Sequence, residues 1–152
     1  MASIFRKGLF DGQVAIVTGG GSGIGLATAR SLGELGAKVA ICGRNPEKLA
    51  AAAADLDGRG VTVWSGTCDI REPEQVASFV DAVKEKVGTA TILVNNAGGQ
   101  LPTTAETLSP RGWEAVVRNN LNGTFFMTQA VATKHMIGAR RGRVVNVIAN
   151  IA

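Results

Sequence analysis

Thr18-Gly19-Gly20-Gly21-Ser22-Gly23-Ile24-Gly25 limits what this chain can fold into more than any other stretch. The apolar run Val14-Ala15-Ile16-Val17 precedes it and a helical pattern follows. The three parts read as strand, glycine turn and helix start. Such a turn lets backbone N–H groups approach an anion, and the helix N-terminus adds favourable partial charge. In a βαβ unit this is a cradle for a dinucleotide pyrophosphate. A glycine turn without a ligand is the plain alternative, and the flanking strand and helix argue for the cradle.

Strands and helices alternate along the rest of the chain. The first strand covers residues 14–18, and Ile24, Ala27, Thr28, Leu32 and Leu35 then share one helical face, with Gly36 as a stop signal. Residues 38–42 read as strand 2. Pro46 opens a second helix through the alanine-rich 49–56, and 61–64 reads as strand 3. Pro73 opens a third helix ending near Val87-Gly88, and 91–94 reads as strand 4. A Gly/Pro/Thr/Ser loop spans 98–110, a fourth helix 112–136 and a fifth strand 143–148. Repeated βα units predict an α/β, doubly wound parallel sheet of Rossmann type with helices on both faces. The expected strand order is 3-2-1-4-5, with the ligand across the ends of strands 1, 2 and 4. The whole chain, 1–152, is read as one dinucleotide-binding domain, incomplete at its C-terminus.

Composition narrows the classes. Hydrophobic content of 45% with 18% charge describes a packed soluble protein. A net charge of +4 suits small anionic ligands and does not point to nucleic acid. Arg140-Arg141-Gly142-Arg143 is the densest basic run. It lies at the entry of strand 5, away from the strand ends that bind ligands, and is read as a solvated loop. Cys42 and Cys68 each fall at the end of a predicted strand, where they could be neighbours in space, and are expected to be buried, reduced thiols and not a secreted disulfide scaffold. Two Cys and one His without ligand spacing give no metal site. No stretch approaches the ~20 apolar residues of a membrane helix, and the chain is read as cytoplasmic.

Several residues carry candidate chemistry. A site for a ribose 2′-OH needs an acid about 20 residues past the glycine turn. That count lands on Ile41-Cys42-Gly43-Arg44-Asn45, which has no acid. Arg44 favours a 2′-phosphate, hence NADP over NAD, against the alternative of an ordinary surface arginine. Asp69 either accepts from an adenine amino group or caps the third helix. Asn95-Asn96-Ala97-Gly98 ends strand 4 beside the switch point, although Asn-Asn is also a common turn signal. Trp113, Val116, Val117, Leu121 and Phe125 form a helical stripe, and Asn120 falls on it. A buried Asn there needs partners: a carbonyl or a water near the active site, or a purely structural bond. His135, beside Lys134 near the helix end, is read as a surface or cap residue.

Together these residues resemble the short-chain dehydrogenase/reductase family. The resemblance rests on the turn Thr18 to Gly25, on Asn95-Asn96-Ala97-Gly98, and on Asn120-Leu121 followed by Gly123-Thr124-Phe125. The stretches 8–14 and 95–100 are most similar to a branch with trans-2-enoyl-CoA reductases and citronellol-catabolism dehydrogenases. The resemblance implies hydride transfer between a nicotinamide and a carbonyl, alcohol or enoyl substrate. It implies that Gly19, Ser22, Gly23, Ile24 and Gly25 hold the pyrophosphate side of NADP, Arg44 the 2′-phosphate and Asp69 the adenine. Asn96, Ala97 and Gly98 would border the ribose, and Asn120 would be the catalytic-site Asn that anchors a water in a proton relay.

Two departures stand against that pattern. The family's Ser at the end of strand 5 falls on Ala149, which has no hydroxyl. Its general-acid Tyr, followed four residues later by Lys, belongs beyond strand 5, and this chain contains no Tyr. The expectation is therefore a chain truncated after strand 5 and inactive alone. The alternative is a non-catalytic nucleotide-binding or interaction module of the same ancestry. Strand 5 and the fourth helix are expected to leave apolar surface for association with a second copy.

Overall fold

Five parallel strands form one sheet in the order β3-β2-β1-β4-β5, as the alternating pattern predicts. The computed structural model describes residues 4–148, so Ala149 lies outside the described residues. The elements are β1 (Val14–Thr18), α1 (Gly23–Glu34), β2 (Lys38–Gly43), α2 (Pro46–Asp57), β3 (Val63–Thr67), α3 (Pro73–Lys86) and β4 (Ile92–Asn95). A long helix then runs as α4 (Pro110–Val117), α5 (Gly123–Val131) and α6 (Ile137–Ala139) before β5 (Arg143–Asn146). Two π-helical turns, Arg118–Asn122 and Ala132–Met136, join its three parts.

The continuous apolar runs of β1, β2 and β4 follow from cover on both faces. Val14, Ile16, Ala40 and Leu93 point to one side and pack with Val76, Phe79, Val80 and Val83 of α3 and Met127 and Val131 of α5. Ala15, Val17, Val39, Ile41 and Val94 point to the other and meet Ala29 of α1 and Leu49, Ala52 and Leu56 of α2. Asn45 starts α2 by accepting the Lys48 N–H at 2.8 Å, with Pro46 next to it, as expected of a proline in a first helical turn.

The structure corrects five expectations. Strand 3 lies at Val63–Thr67, not at 61–64: Val61 is buried but closes the α2 turn, its N–H bonding to the Leu56 carbonyl. In α1 the buried residues are Gly25 and Ala29, while Ile24, Ala27, Thr28, Leu32 and Leu35 line an outer apolar groove with Phe5, Leu9 and Phe10. Small residues let α1 lie close to the sheet, so its bulky stripe turns toward the groove, with Leu32 alone of that stripe also packing against the core cluster. The fourth-helix stripe is likewise exposed, with Trp113 at 59%, Leu121 at 65% and Phe125 at 55%, and no residue of α4 is buried. His135 is neither a surface nor a cap residue. It is buried, its Nδ1 accepting the Ala90 N–H at 2.8 Å and its Nε2 within 3.1 Å of the Val80 carbonyl. It belongs to the row Met127, Val131, His135, spaced four apart along the inner face. Finally, β5 ends at Asn146, not at 148, and it is exposed at all four positions, the open surface expected of it.

Candidate nucleotide site

The glycine turn is held in place by a latch from the neighbouring strand. The Thr18 hydroxyl accepts the backbone N–H groups of Asn96 and Ala97, each at 2.9 Å. In return, the Asn96 side-chain amide donates to the Thr18 carbonyl at 3.0 Å. The ends of β1 and β4 are thereby locked together at the switch point, where α/β sheets bind ligands. Asn95, one residue earlier, donates to Thr128 of α5 and to Asn146 of β5, both at 2.9 Å. Asn95 and Asn96 thus tie the strand ends to elements on either side, and they do not form a turn.

Glycine is required here for two reasons. Gly19 adopts φ +66° and Gly23 φ +54°, in the left-handed region that side chains avoid. A Cβ on Gly25 would stand 2.4 Å from the Gly19 carbonyl oxygen and 2.5 Å from the Asn96 amide nitrogen. The turn therefore folds tightly onto the start of α1. Ser22 is the N-cap in extended conformation, makes no side-chain capping bond, and α1 has no acid in its first turn. Orphan N–H groups and the helix dipole there favour an anion.

A cleft of about 370 Å³ opens beside this turn. Gly19 and Ser22 line it from the turn, Arg44 and Lys48 from β2 and α2, Asp69 from the end of β3, and Asn96, Ala97 and Gly98 from the end of β4. The far end is basic: Arg44 is exposed there and forms no ion pair among the described residues. Asp69 is paired with Arg71, whose guanidinium and backbone N–H hold its carboxyl below the usual carboxylate range, with a smaller contribution from Arg44. Asp69 does not cap α3, because the N-cap position belongs to Glu72. The residues present fit a phosphorylated dinucleotide: a tight cradle with open N–H groups at one end and two cations at the other.

The predicted residues separate into groups. Gly19, Ser22, Arg44, Asp69, Asn96, Ala97 and Gly98 meet at the cleft. Gly23 and Gly25 shape the turn from behind, and Ile24 is 66% exposed on the outer groove. Asn120 is exposed, not buried, because the stripe it shares faces outward. It lies in the first π-helical turn and clasps the loop after β4: its oxygen accepts the Gly99 N–H at 3.1 Å, and its amide donates to Gly99 and Val116 carbonyls at 2.8 and 2.9 Å. Inserted π turns occur frequently at functional sites. Lys48, Asn119, Cys42 and Cys68 also line the cleft without having been singled out for it. Lys48 had a signal, standing four residues after Arg44 in the first turn of α2.

Known proteins share this sequence and architecture. A family model described as short chain dehydrogenase matches residues 13–152. A putative ketoacyl reductase of the granaticin polyketide synthase from Streptomyces violaceoruber is 40% identical over 88% of this chain and 50% of its own length. The solved citronellol catabolism dehydrogenase of Pseudomonas aeruginosa PAO1 superposes with a TM-score of 0.92 at 45% identity, over 97% of this chain and 60% of that one. A gluconate 5-dehydrogenase from Burkholderia cenocepacia, solved with NADP and tartrate, gives 0.88 at 38% identity, over 96% and 58%. An NAD+-bound xylitol dehydrogenase gives 0.87 at 37% identity, over 91% and 53%, so both cofactors occur among the solved relatives. The chain spans about half the length of the curated relatives it matches. With a family model matched over residues 13–152 and a solved member superposing on nearly the whole chain, the chain belongs to the short-chain dehydrogenase family.

Proposed function

We propose that this chain forms the dinucleotide-binding part of an NADP(H)-dependent oxidoreductase acting on a carbonyl, alcohol or enoyl substrate. The carrying observation is the charge at the end of β2: Arg44 and Lys48 face the cleft where an acid would repel a 2′-phosphate. Backbone N–H groups of the turn and the first turn of α1, with Ser22, hold the pyrophosphate. Arg44 and Lys48 hold the 2′-phosphate, and Asp69 accepts from the adenine amino group. Asn96, Ala97 and Gly98 provide a wall of small residues for the ribose. When bound, the nicotinamide supplies or accepts the hydride. Asn120, clamped between Gly99 and Val116, positions a water for proton transfer. The two free thiols fit a reducing, cytoplasmic setting.

Titration of the purified chain with NADP+ and NAD+ tests the reading. Arg44→Ala should weaken NADP+ by about 1.5–3 kcal/mol, the range of hydrogen bonds to charged groups, and leave NAD+ nearly unchanged. Equal loss for both would remove Arg44 as the phosphate ligand. In the same reading the 152-residue chain alone does not turn over, because it has no Tyr to serve as the acid. NADPH oxidation by the purified chain with a ketone or an enoyl-CoA would overturn that.

A further inference from the structure

We propose that Cys42 and Cys68 form an oxidisable dithiol in the wall of the cleft, which a peroxide closes to a disulfide and which a bound dinucleotide shields. The shielding rests on the nucleotide reading above; the disulfide does not. Cys42 lies near the end of β2, and Cys68 is the first residue past β3. The two strands are parallel neighbours, with Cys42 opposite Gly66, and the Cys68 N–H donates to the Gly43 carbonyl at 2.9 Å. Both side chains join the same core cluster, both are buried, and both residues line the cleft. Gly66 places no side chain between them, and each thiol is the largest influence on the acidity of the other.

That proximity makes the sulfurs unequal. The neighbouring Cys68, with burial second, pushes the Cys42 thiol well up. Cys42 in turn pulls Cys68 down, against burial and the charge of Asp69. Cys68, just past the end of β3 where the cleft opens, is the sulfur that meets the oxidant, and its thiolate is the nucleophile. Its thiolate attacks one peroxide oxygen, the O–O bond breaks, and Cys68 becomes a sulfenic acid as one water leaves. Cys42 then attacks the Cys68 sulfur, giving up its proton as the S–O bond breaks and a second water leaves. Two thiols are oxidised and one peroxide is reduced to two waters. The new bond draws the end of β3, with Asp69, toward β2 and Arg44, and narrows the basic end of the cleft.

The test treats the purified 152-residue chain with hydrogen peroxide, then denatures it, alkylates free thiols and weighs it. The expected result is paired loss of both thiols, a mass lower by two hydrogens, and full recovery with dithiothreitol. Cys42→Ala should leave Cys68 trapped as a dimedone adduct, and Cys68→Ala should leave Cys42 unreacted. Thiols that stay alkylatable in the unmodified chain, that gain oxygen independently, or that link two chains would overturn the dithiol. NADP+ at ten times its Kd should slow closure about tenfold, in proportion to the free fraction. Closure at an unchanged rate with NADP+ bound upholds the dithiol and overturns the shielding. A separate titration showing no NADP+ binding overturns the nucleotide reading alone.

Discussion

The sheet has two edges, and they are finished differently. At the β3 edge, Trp64 stacks on Phe79 of α3 with ring centroids 5.5 Å apart, and α2 and α3 flank the strand, so most of β3 is half-buried. At the β5 edge, Val144, Val145 and Val147 are 41%, 50% and 40% exposed, although they are as apolar as the core of β1. Both edges have an open row of backbone groups, but only one has helices to shelter its side chains. Apolar content makes a strand eligible for burial, and neighbouring elements decide whether it is buried. An uncovered apolar edge is a template for pairing with another chain or with a further segment of the same fold.

Mutations graded along this contrast test it. The largest effect is expected at the centre: Ile16→Ala, at a fully buried position of β1, should cost about 2–5 kcal/mol in chemical denaturation. A cost below 1 kcal/mol would mean that the interior is loosely packed.

Next comes His135, which bridges α3 and the entry to β4 beneath the long helix. His135→Phe leaves the Ala90 N–H and the Val80 carbonyl without their partner and should cost about 1–3 kcal/mol. Burial chiefly lowers the pKa of His135; Lys84 and Lys134 add to this, while the Val80 bond and Asp81 oppose it. The unfolded chain therefore takes up the proton first. Stability is full above the unfolded value of about 6.5 and falls as the pH drops below it toward the folded value. Denaturation midpoints across that window should show this slope, and His135→Phe should flatten it.

Thr18→Val follows, removing the acceptor for two N–H groups at the latch. A loss of about 1–3 kcal/mol is expected, with weaker NADP+ binding. Unchanged binding would dissociate the latch from the cleft.

The smallest stability change belongs to the open edge. Val145→Ala should shift stability by no more than about 0.5 kcal/mol in the monomer. Light scattering over a dilution series should show self-association of the unmodified chain, and Val145→Lys should reduce it, because an edge lysine discourages pairing. A monodisperse parent, or a large cost for Val145→Ala in a confirmed monomer, would mean that this edge is covered after all.

What was legible in the sequence was whatever a local pattern encodes. The glycine turn, the proline-led helices and the alternation of elements gave the strand order and the side of the sheet that carries the cleft. The limits of β3 were not legible, because Ser65, Gly66 and Thr67 pair through their backbones and carry no apolar signal. The inner face of α1 is made of the small residues Gly25 and Ala29, which carry no apolar signal, so its buried side is not legible from the bulky stripe. In the long helix each π turn takes an extra residue and rotates the face that follows, so the row of Met127, Val131 and His135 does not continue the stripe that starts at Trp113. Arg44 could be read from its distance to the glycines. Cys42 and Cys68 could be placed at strand ends, but their mutual contact depends on the β2–β3 register.

The latch at the cleft also sets a clock. Thr18 and Asn96 are 78 residues apart in the chain. At roughly 5–20 residues per second of synthesis, the turn waits roughly 4–16 s for the strand that holds it. During that interval β1 lacks its β4 neighbour, and the cradle has no fixed shape. A nascent chain stalled before β4 should therefore be unable to retain a nucleotide, however complete its glycine turn.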